Sequence, residues 1–150
     1  MYEKILIPTD GSDTALLAAK YARALAEKFD SEVAIVHVIQ NYYTLPAFSM
    51  PDTVTIPASV MQDLESNGQL ILEKTKEIFS GLAGKVSARL EYGPPGKAVI
   101  DIVEEEKFSL IVMGHRGLSG VSEMLLGSVS RHVLHYASCP ILIIKGDGTM

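Results

Sequence analysis

The sequence predicts an α/β fold built on a single doubly wound parallel sheet of five strands, with helices on both faces. Three observations predict it. Short apolar runs alternate with longer stretches of helical period in the order βαβαβαβαβ, the pattern of parallel strands joined by crossover helices. The strand-like runs are nearly continuous in apolar character, as strands covered on both faces are. At 150 residues the chain suits one domain with a proper core and is too short for two ordinary ones.

The first strand is read at Lys4 to Pro8, around Ile5-Leu6-Ile7, and the turn Thr9-Asp10-Gly11 follows it. Ser12 is a good N-cap, and Ala15, Ala19, Ala22, Ala26 and Phe29 then recur every three or four residues as one helix face. Glu32 to Val38 is a second strand. The stretch from Ile39 to Pro57 holds three prolines and no clear period, so it is expected to be a long flexible loop. A second helix should carry Val60, Leu64, Ile71, Thr75, Ile78 and Leu82 on one face, with Gly68 as a weak point costing about 1 kcal/mol against alanine. Lys85 to Tyr92 alternates Val86, Ala88, Leu90 and Tyr92 as a third strand. The turn Gly93-Pro94-Pro95-Gly96 leads into a helix ending near Lys107, and Leu110-Ile111-Val112-Met113 is the fourth strand. A glycine-rich loop, a helix from about Ser128 to Ala137 and a last strand from Pro140 to Lys145 complete the chain.

Composition narrows the function. With 47% hydrophobic and 21% charged residues the balance is that of a globular chain and not a disordered one. A net charge of −5 argues against sequence-blind binding to nucleic acid or anionic membrane, yet leaves room for a local anion site made of aimed amides. No apolar stretch approaches the ~20 residues of a membrane span, and the short run after Glu3 and Lys4 is broken by Pro8, unlike a signal peptide. A cytoplasmic location is expected. The single cysteine, Cys139, rules out an internal disulfide and a multi-thiolate metal site, and its apolar neighbours suggest a buried structural thiol.

In open α/β sheets ligands bind beyond the carboxyl ends of the strands. The candidates are therefore Thr9-Asp10-Gly11, the stretch after Val38, Gly93 to Gly96, and everything from Gly114 onward. Gly114 ends a buried strand, where a missing side chain lets a ligand approach the backbone. Gly117 and Gly120 permit positive φ, so that successive N–H groups can converge on an anion. Gly127-Ser128 opens a helix whose unpaired amides favour phosphate, the hydroxyls of Ser128 and Ser130 can add hydrogen bonds, and Arg116 can pair with a phosphate or point to solvent. The same residues also read as a surface loop with glycine turns and Ser128 as an ordinary N-cap. Three familiar motifs fail. A Walker A loop requires glycine where Glu91 stands before Gly96-Lys97, and a hydroxyl where Ala98 stands. The dinucleotide fingerprint after the first strand has only Gly11, and no Gly-x-Ser-x-Gly elbow exists.

The run Gly114-x2-Gly117-x9-Gly127-Ser128 resembles the Gly-2x-Gly-9x-Gly-Ser/Thr signature of the ATP-binding branch of universal stress proteins. The opening Ile5-Leu6-Ile7-Pro8-Thr9-Asp10-Gly11-Ser12, the strand ending His37-Val38, and Ser138-Cys139-Pro140 before the last strand resemble the family too, so the likeness covers essentially the whole chain. The resemblance implies a strand order of 3-2-1-4-5 and a nucleotide lying across the first and fourth strands. Pro8, Thr9 and Val38 would line the adenine pocket, with Met113 beneath the base or ribose. Asp10 would contact the ribose or a phosphate-bound Mg²⁺ (or Mn²⁺). Gly114, His115, Gly117, Gly127, Ser128, Val129 and Ser130 would supply amides and hydroxyls to ribose and phosphates, with Arg116 beside them. Each has a plainer alternative: Asp10 as a turn residue, Val38 and Met113 as core. His132 and His135 lie i,i+3 on one helix without a legible third metal ligand, and His37 reads as a hydrogen-bonded core or rim residue.

The family resemblance implies a binding and signalling module, at most a slow ATPase. Fast hydrolysis needs a positioned water or base, and no residue stands out for that task. ATP occupancy is expected to order the loop from Gly114 to Gly127 and the loop from Ile39 to Pro57, changing a surface that an unidentified protein partner reads. The alternative is an ATP-cleaving or nucleotidyl-transferring enzyme on the same adenine-binding scaffold. In the family order, Ile141-Leu142-Ile143-Ile144 lies at a sheet edge, and pairing of strand 140–145 across a two-fold would make a homodimer.

Overall fold

The computed structural model describes residues 1–40, 57–82, 85–115 and 126–146. In chain order its elements are β1 (Lys4–Pro8), α1 (Asp13–Phe29), β2 (Glu32–Ile39), α2 (Ala58–Glu77), β3 (Val86–Tyr92), α3 (Pro95–Glu106), β4 (Leu110–Gly114), α4 (Ser128–Tyr136) and β5 (Ile141–Ile144). The five strands form one parallel sheet in the order β3-β2-β1-β4-β5. Central β1 pairs on one side through Ile5 with Val33 and on the other through Ile5 with Leu110. The order therefore reverses between β1 and β4, and β5 lies at an edge.

Strand alternation divides the apolar side chains into two layers. Ile5, Ile7, Val33, Ile35, Leu110 and Val112 pack against α1 and α2, while Leu6, Val36, Ile111 and Met113 pack against α3 and α4. Helices thus cover both faces, which is why the strand sequences look apolar throughout rather than alternating. The inner face of α1 is an alanine seam of Ala15, Ala18, Ala19, Ala22 and Ala26. Side chains of one carbon let this helix lie close to the sheet. Ser12 caps it by accepting the Ala15 N–H at 3.3 Å, and Asp30 ends it in the left-handed region at φ 57°.

Several boundaries differ from the sequence expectation. The second helix ends at Glu77, and Ile78 to Leu82 form tighter turns through bonds such as Phe79 N–H to Lys76 O at 2.9 Å. That change of pitch buries Phe79, and Ile78 and Leu82 pack half-buried against the same core as the helical period had suggested, whereas Val60, in the first turn of α2, is exposed. Gly68 is no simple weak point. It is buried, and a Cβ there would stand 2.7 Å from Leu90 Cδ2 and 3.0 Å from His37 Cδ2. Ile39, expected to start a loop, is the buried end of β2, with its carbonyl accepting the Gly93 N–H at 3.0 Å. Pro57 sits at the N-cap of α2, and residues 41–56 of the expected loop lie outside the described residues. Tyr92 does not continue the inner face of β3; it is exposed, and its hydroxyl donates to Glu65 on α2 at 2.7 Å. Cys139 is half-buried against the α3–α4 layer.

Candidate functional site

A cleft of about 330 Å³ opens where the strand order reverses, lined by the ends of β1, β2 and β4 and the first turns of α3 and α4. That is the place the doubly wound topology leaves open, because the crossovers from β1 and β4 run to opposite faces. Its inner part is apolar, with Val36, Val38, Val99 and Met113. Thr9, Asp10, Gln40 and Ser128 bring polar groups to the same space. Of the positions singled out from sequence, Pro8, Thr9, Asp10, Val38, Met113, Gly114, Gly127, Ser128, Val129 and Ser130 all line it. Arg116 and Gly117 lie outside the described residues.

Each wall has a local cause. Thr9 extends the sheet by donating its N–H to Val36 O at 2.9 Å. Asp10 is the pivot of an Asx turn, its Oδ1 accepting the Ser12 N–H at 3.0 Å. Gly11 follows at φ +78°, a conformation that side chains other than glycine's rarely take. On the opposite wall, Gly127 stands at the N-cap of α4 with no side-chain capping hydrogen bond among the described residues. The first amides of the helix carry the positive end of its dipole. The helix is tied to the sheet by Ser130, whose hydroxyl donates to Gly114 O at 2.9 Å. The Ser130 proton is thereby spent inside the protein, and its backbone N–H is the donor it can still offer a ligand.

Two sequence readings change at this wall. Gly114 is bare because α1 needs the room: a Cβ there would stand 2.9 Å from Thr14 Oγ1 and 3.0 Å from the Thr14 carbonyl carbon. His115 does not line the cleft. Its side chain is buried, its backbone N–H donates to Ile144 O at 2.9 Å, and its backbone carbonyl accepts the Gly127 N–H at 2.8 Å. With that amide committed, His115 stitches β4 to β5 and to the head of α4. Among the described residues its Nδ1 has no hydrogen-bond partner.

The model of the universal stress protein family matches residues 1–145. This chain belongs to the universal stress protein family. Universal stress protein MJ0531 of Methanocaldococcus jannaschii is 36% identical over 147 residues, covering 97% of this chain and 83% of its own. YxiE of Bacillus subtilis is 32% identical over 149 residues, covering 97% and 100%. The solved structure of MJ0577, also from M. jannaschii, gives a TM-score of 0.81 at 30% identity and covers 98% of both chains. A universal stress protein solved in complex with cAMP gives 0.70 at 25% identity, covering 95% of this chain and 97% of that one.

In this universal stress protein, the sequence reasoning missed Ala15, Val36, His37 and Val99 as cleft-lining residues, while Gln40 and Pro95 fall in the stretches after Val38 and from Gly93 to Gly96 that it had marked. Val99 lies one turn beyond Pro95 on the same helix. Gly96 is demanded by packing, because a Cβ there would meet His132 Cγ at 2.7 Å. His132 is thus a spacer between α3 and α4, its ring 4.6 Å from that of Tyr136. Among the described residues, no three His, Cys, Asp or Glu side chains converge as a metal cage.

Proposed function

We propose that this universal stress protein binds ATP in the cleft between β1 and β4 and acts as a nucleotide-dependent switch, hydrolysing ATP slowly at most. The observation that supports this best is the meeting of two complementary halves in one space. Val36, Val38, Val99 and Met113 offer an apolar slot for a flat base, and the α4 N-terminus, with glycine at its N-cap, offers amides for phosphates. The relative solved with cAMP lends adenine-nucleotide chemistry to a fold of this kind.

On this reading Pro8, Thr9 and Val38 surround the adenine, with Met113 beneath base or ribose. Gly114, Gly127 and the amides of Ser128, Val129 and Ser130 receive ribose and phosphates. Arg116 and Gly117 join them from beyond the described residues. Asp10 contacts the ribose or a phosphate-bound Mg²⁺ or Mn²⁺. The donor set fits such an ion, because Mg²⁺ is commonly held by one or two carboxylates plus substrate phosphates and not by a protein cage. The ion would neutralise phosphate charge.

Residues 1–150 form a single cytoplasmic domain on this account, and two copies pair along strand 140–145 at the edge of the sheet. ATP occupancy changes the surface that residues 114–127 present to a protein partner. Limited proteolysis with and without ATP and Mg²⁺ tests the switch. Slower cleavage within 114–127 when ATP is present is expected, and identical cleavage patterns would reject it. Displacement of a fluorescent ATP analogue by ATP and by cAMP ranks the two ligands in the same preparation.

A further inference from the structure

The turn between β1 and α1 is gripped from behind, on the face of the sheet away from α3 and α4. Thr75 of α2 is fully buried, and its Oγ1–H donates to Ile71 O at 2.8 Å. With its only proton spent, the Thr75 oxygen is left to accept, and Thr9 Oγ1 stands 3.2 Å away to donate. Thr9 Oγ1 in turn accepts the Gly11 N–H at 3.2 Å. A backbone amide can only donate and a carbonyl can only accept, so the chain from Gly11 through Thr9 and Thr75 to Ile71 has one direction. The Thr9 carbonyl lies 2.8 Å from His37 Nδ1, which must therefore carry a hydrogen. Gly68 makes room for that imidazole, since a Cβ there would stand 3.0 Å from His37 Cδ2.

We infer that Thr75 and His37 are positioning residues that set the β1–α1 turn, and with it Thr9 and Asp10, for ligand binding. The inference rests on the reading of the cleft as a nucleotide site. No residue of α2 lines the cleft among the described residues, yet α2 reaches it through Thr75, which fixes Thr9 at its hydroxyl, while His37 of β2 holds the same threonine at its carbonyl. Thr9 is itself buried, so its hydroxyl cannot exchange Thr75 for bulk water. Removing the Thr75 oxygen frees the Thr9 rotamer, and the Gly11 amide loses its aligned acceptor.

The two ways of trimming Thr75 separate positioning from packing. T75V keeps the shape and removes the acceptor; T75S keeps the hydroxyl and gives up a buried methyl. Amide exchange at Gly11 without nucleotide, ATP affinity by calorimetry and the urea midpoint are measured on each full-length chain. In T75V, Gly11 exchange should quicken and ATP affinity should fall, each by about tenfold, the order of one hydrogen bond. T75S should restore both to within about threefold even though its lost methyl lowers the urea midpoint. H37L and H37N form a second pair should T75V fold poorly, with asparagine returning a donor to Thr9 O and leucine not. Equal losses of affinity in T75V and T75S would overturn the inference, as would unchanged Gly11 exchange in T75V. If the native chain binds no ATP, the nucleotide reading fails by itself. Gly11 exchange then still decides whether the relay holds the turn.

Discussion

Ser130 donates its hydroxyl proton to the carbonyl of Gly114 across 2.9 Å, and both groups are buried. The bond joins the first turn of α4 to the end of β4 and so sets one wall of the cleft relative to its floor. Replacing Ser130 by alanine leaves that carbonyl without its partner, at a cost of about 1–3 kcal/mol. S130A should unfold at lower urea by that amount and bind nucleotide more weakly. A chain as stable as the native one would show that water takes over the bond.

Gly96 and His132 make a reciprocal pair. Helix propensity alone favours alanine over glycine by about 1 kcal/mol at a helix interior. Here a Cβ would lie 2.7 Å from His132 Cγ and 2.9 Å from His132 Cβ, atoms that cannot swing aside without moving the whole side chain. G96A should therefore destabilise by about 1–3 kcal/mol, as overpacking does. Adding H132A should return most of that loss, and a double-mutant cycle in urea reads the coupling. Additive losses would deny the contact.

Burial raises the pKa of the Cys139 thiol, against a smaller opposing effect of a backbone hydrogen bond. The thiolate is the nucleophile, so the folded chain should be alkylated by iodoacetamide at pH 8 more slowly than the urea-unfolded chain. The sign for stability follows. A folded pKa above the unfolded one favours the neutral thiol, so its contribution is whole below the unfolded pKa and fades as pH rises through the folded one. Equal alkylation rates in the two states would mean that the side chain is open to reagent.

Much of the fold was legible in the sequence because both faces of the sheet are buried. Ile5-Leu6-Ile7 and Leu110-Ile111-Val112-Met113 could not hide as amphipathic strands when each alternate residue feeds a different layer. The cleft was legible where a rule of position applied, as at Asp10 and Ser128 beyond strand and at helix start. It was not legible where the cause lies across the fold. Nothing local to Gly68 announces His37, and nothing local to Gly114 announces Thr14. The early end of α2 has the same character, since burial of Phe79 rewards the tighter turns that break the helical period.

Strand β5 carries Ile141-Leu142-Ile143-Ile144 at the sheet edge, with one side unpaired among the described residues. An apolar edge of this kind is a ready template for pairing with another strand. Sedimentation equilibrium at micromolar concentration should return twice the 16.2 kDa of one chain. A single species at the chain mass would reject pairing along 140–145.

The central claim is that the cleft between β1 and β4 takes ATP. Calorimetric titration of ATP with Mg²⁺ into the chain, freed of bound nucleotide by unfolding and refolding, tests it most directly. One site per chain at micromolar affinity or better is the predicted result. No heat at millimolar ATP, from protein shown to be folded by its circular dichroism, would contradict the account and leave the glycine-rich segment a purely structural feature.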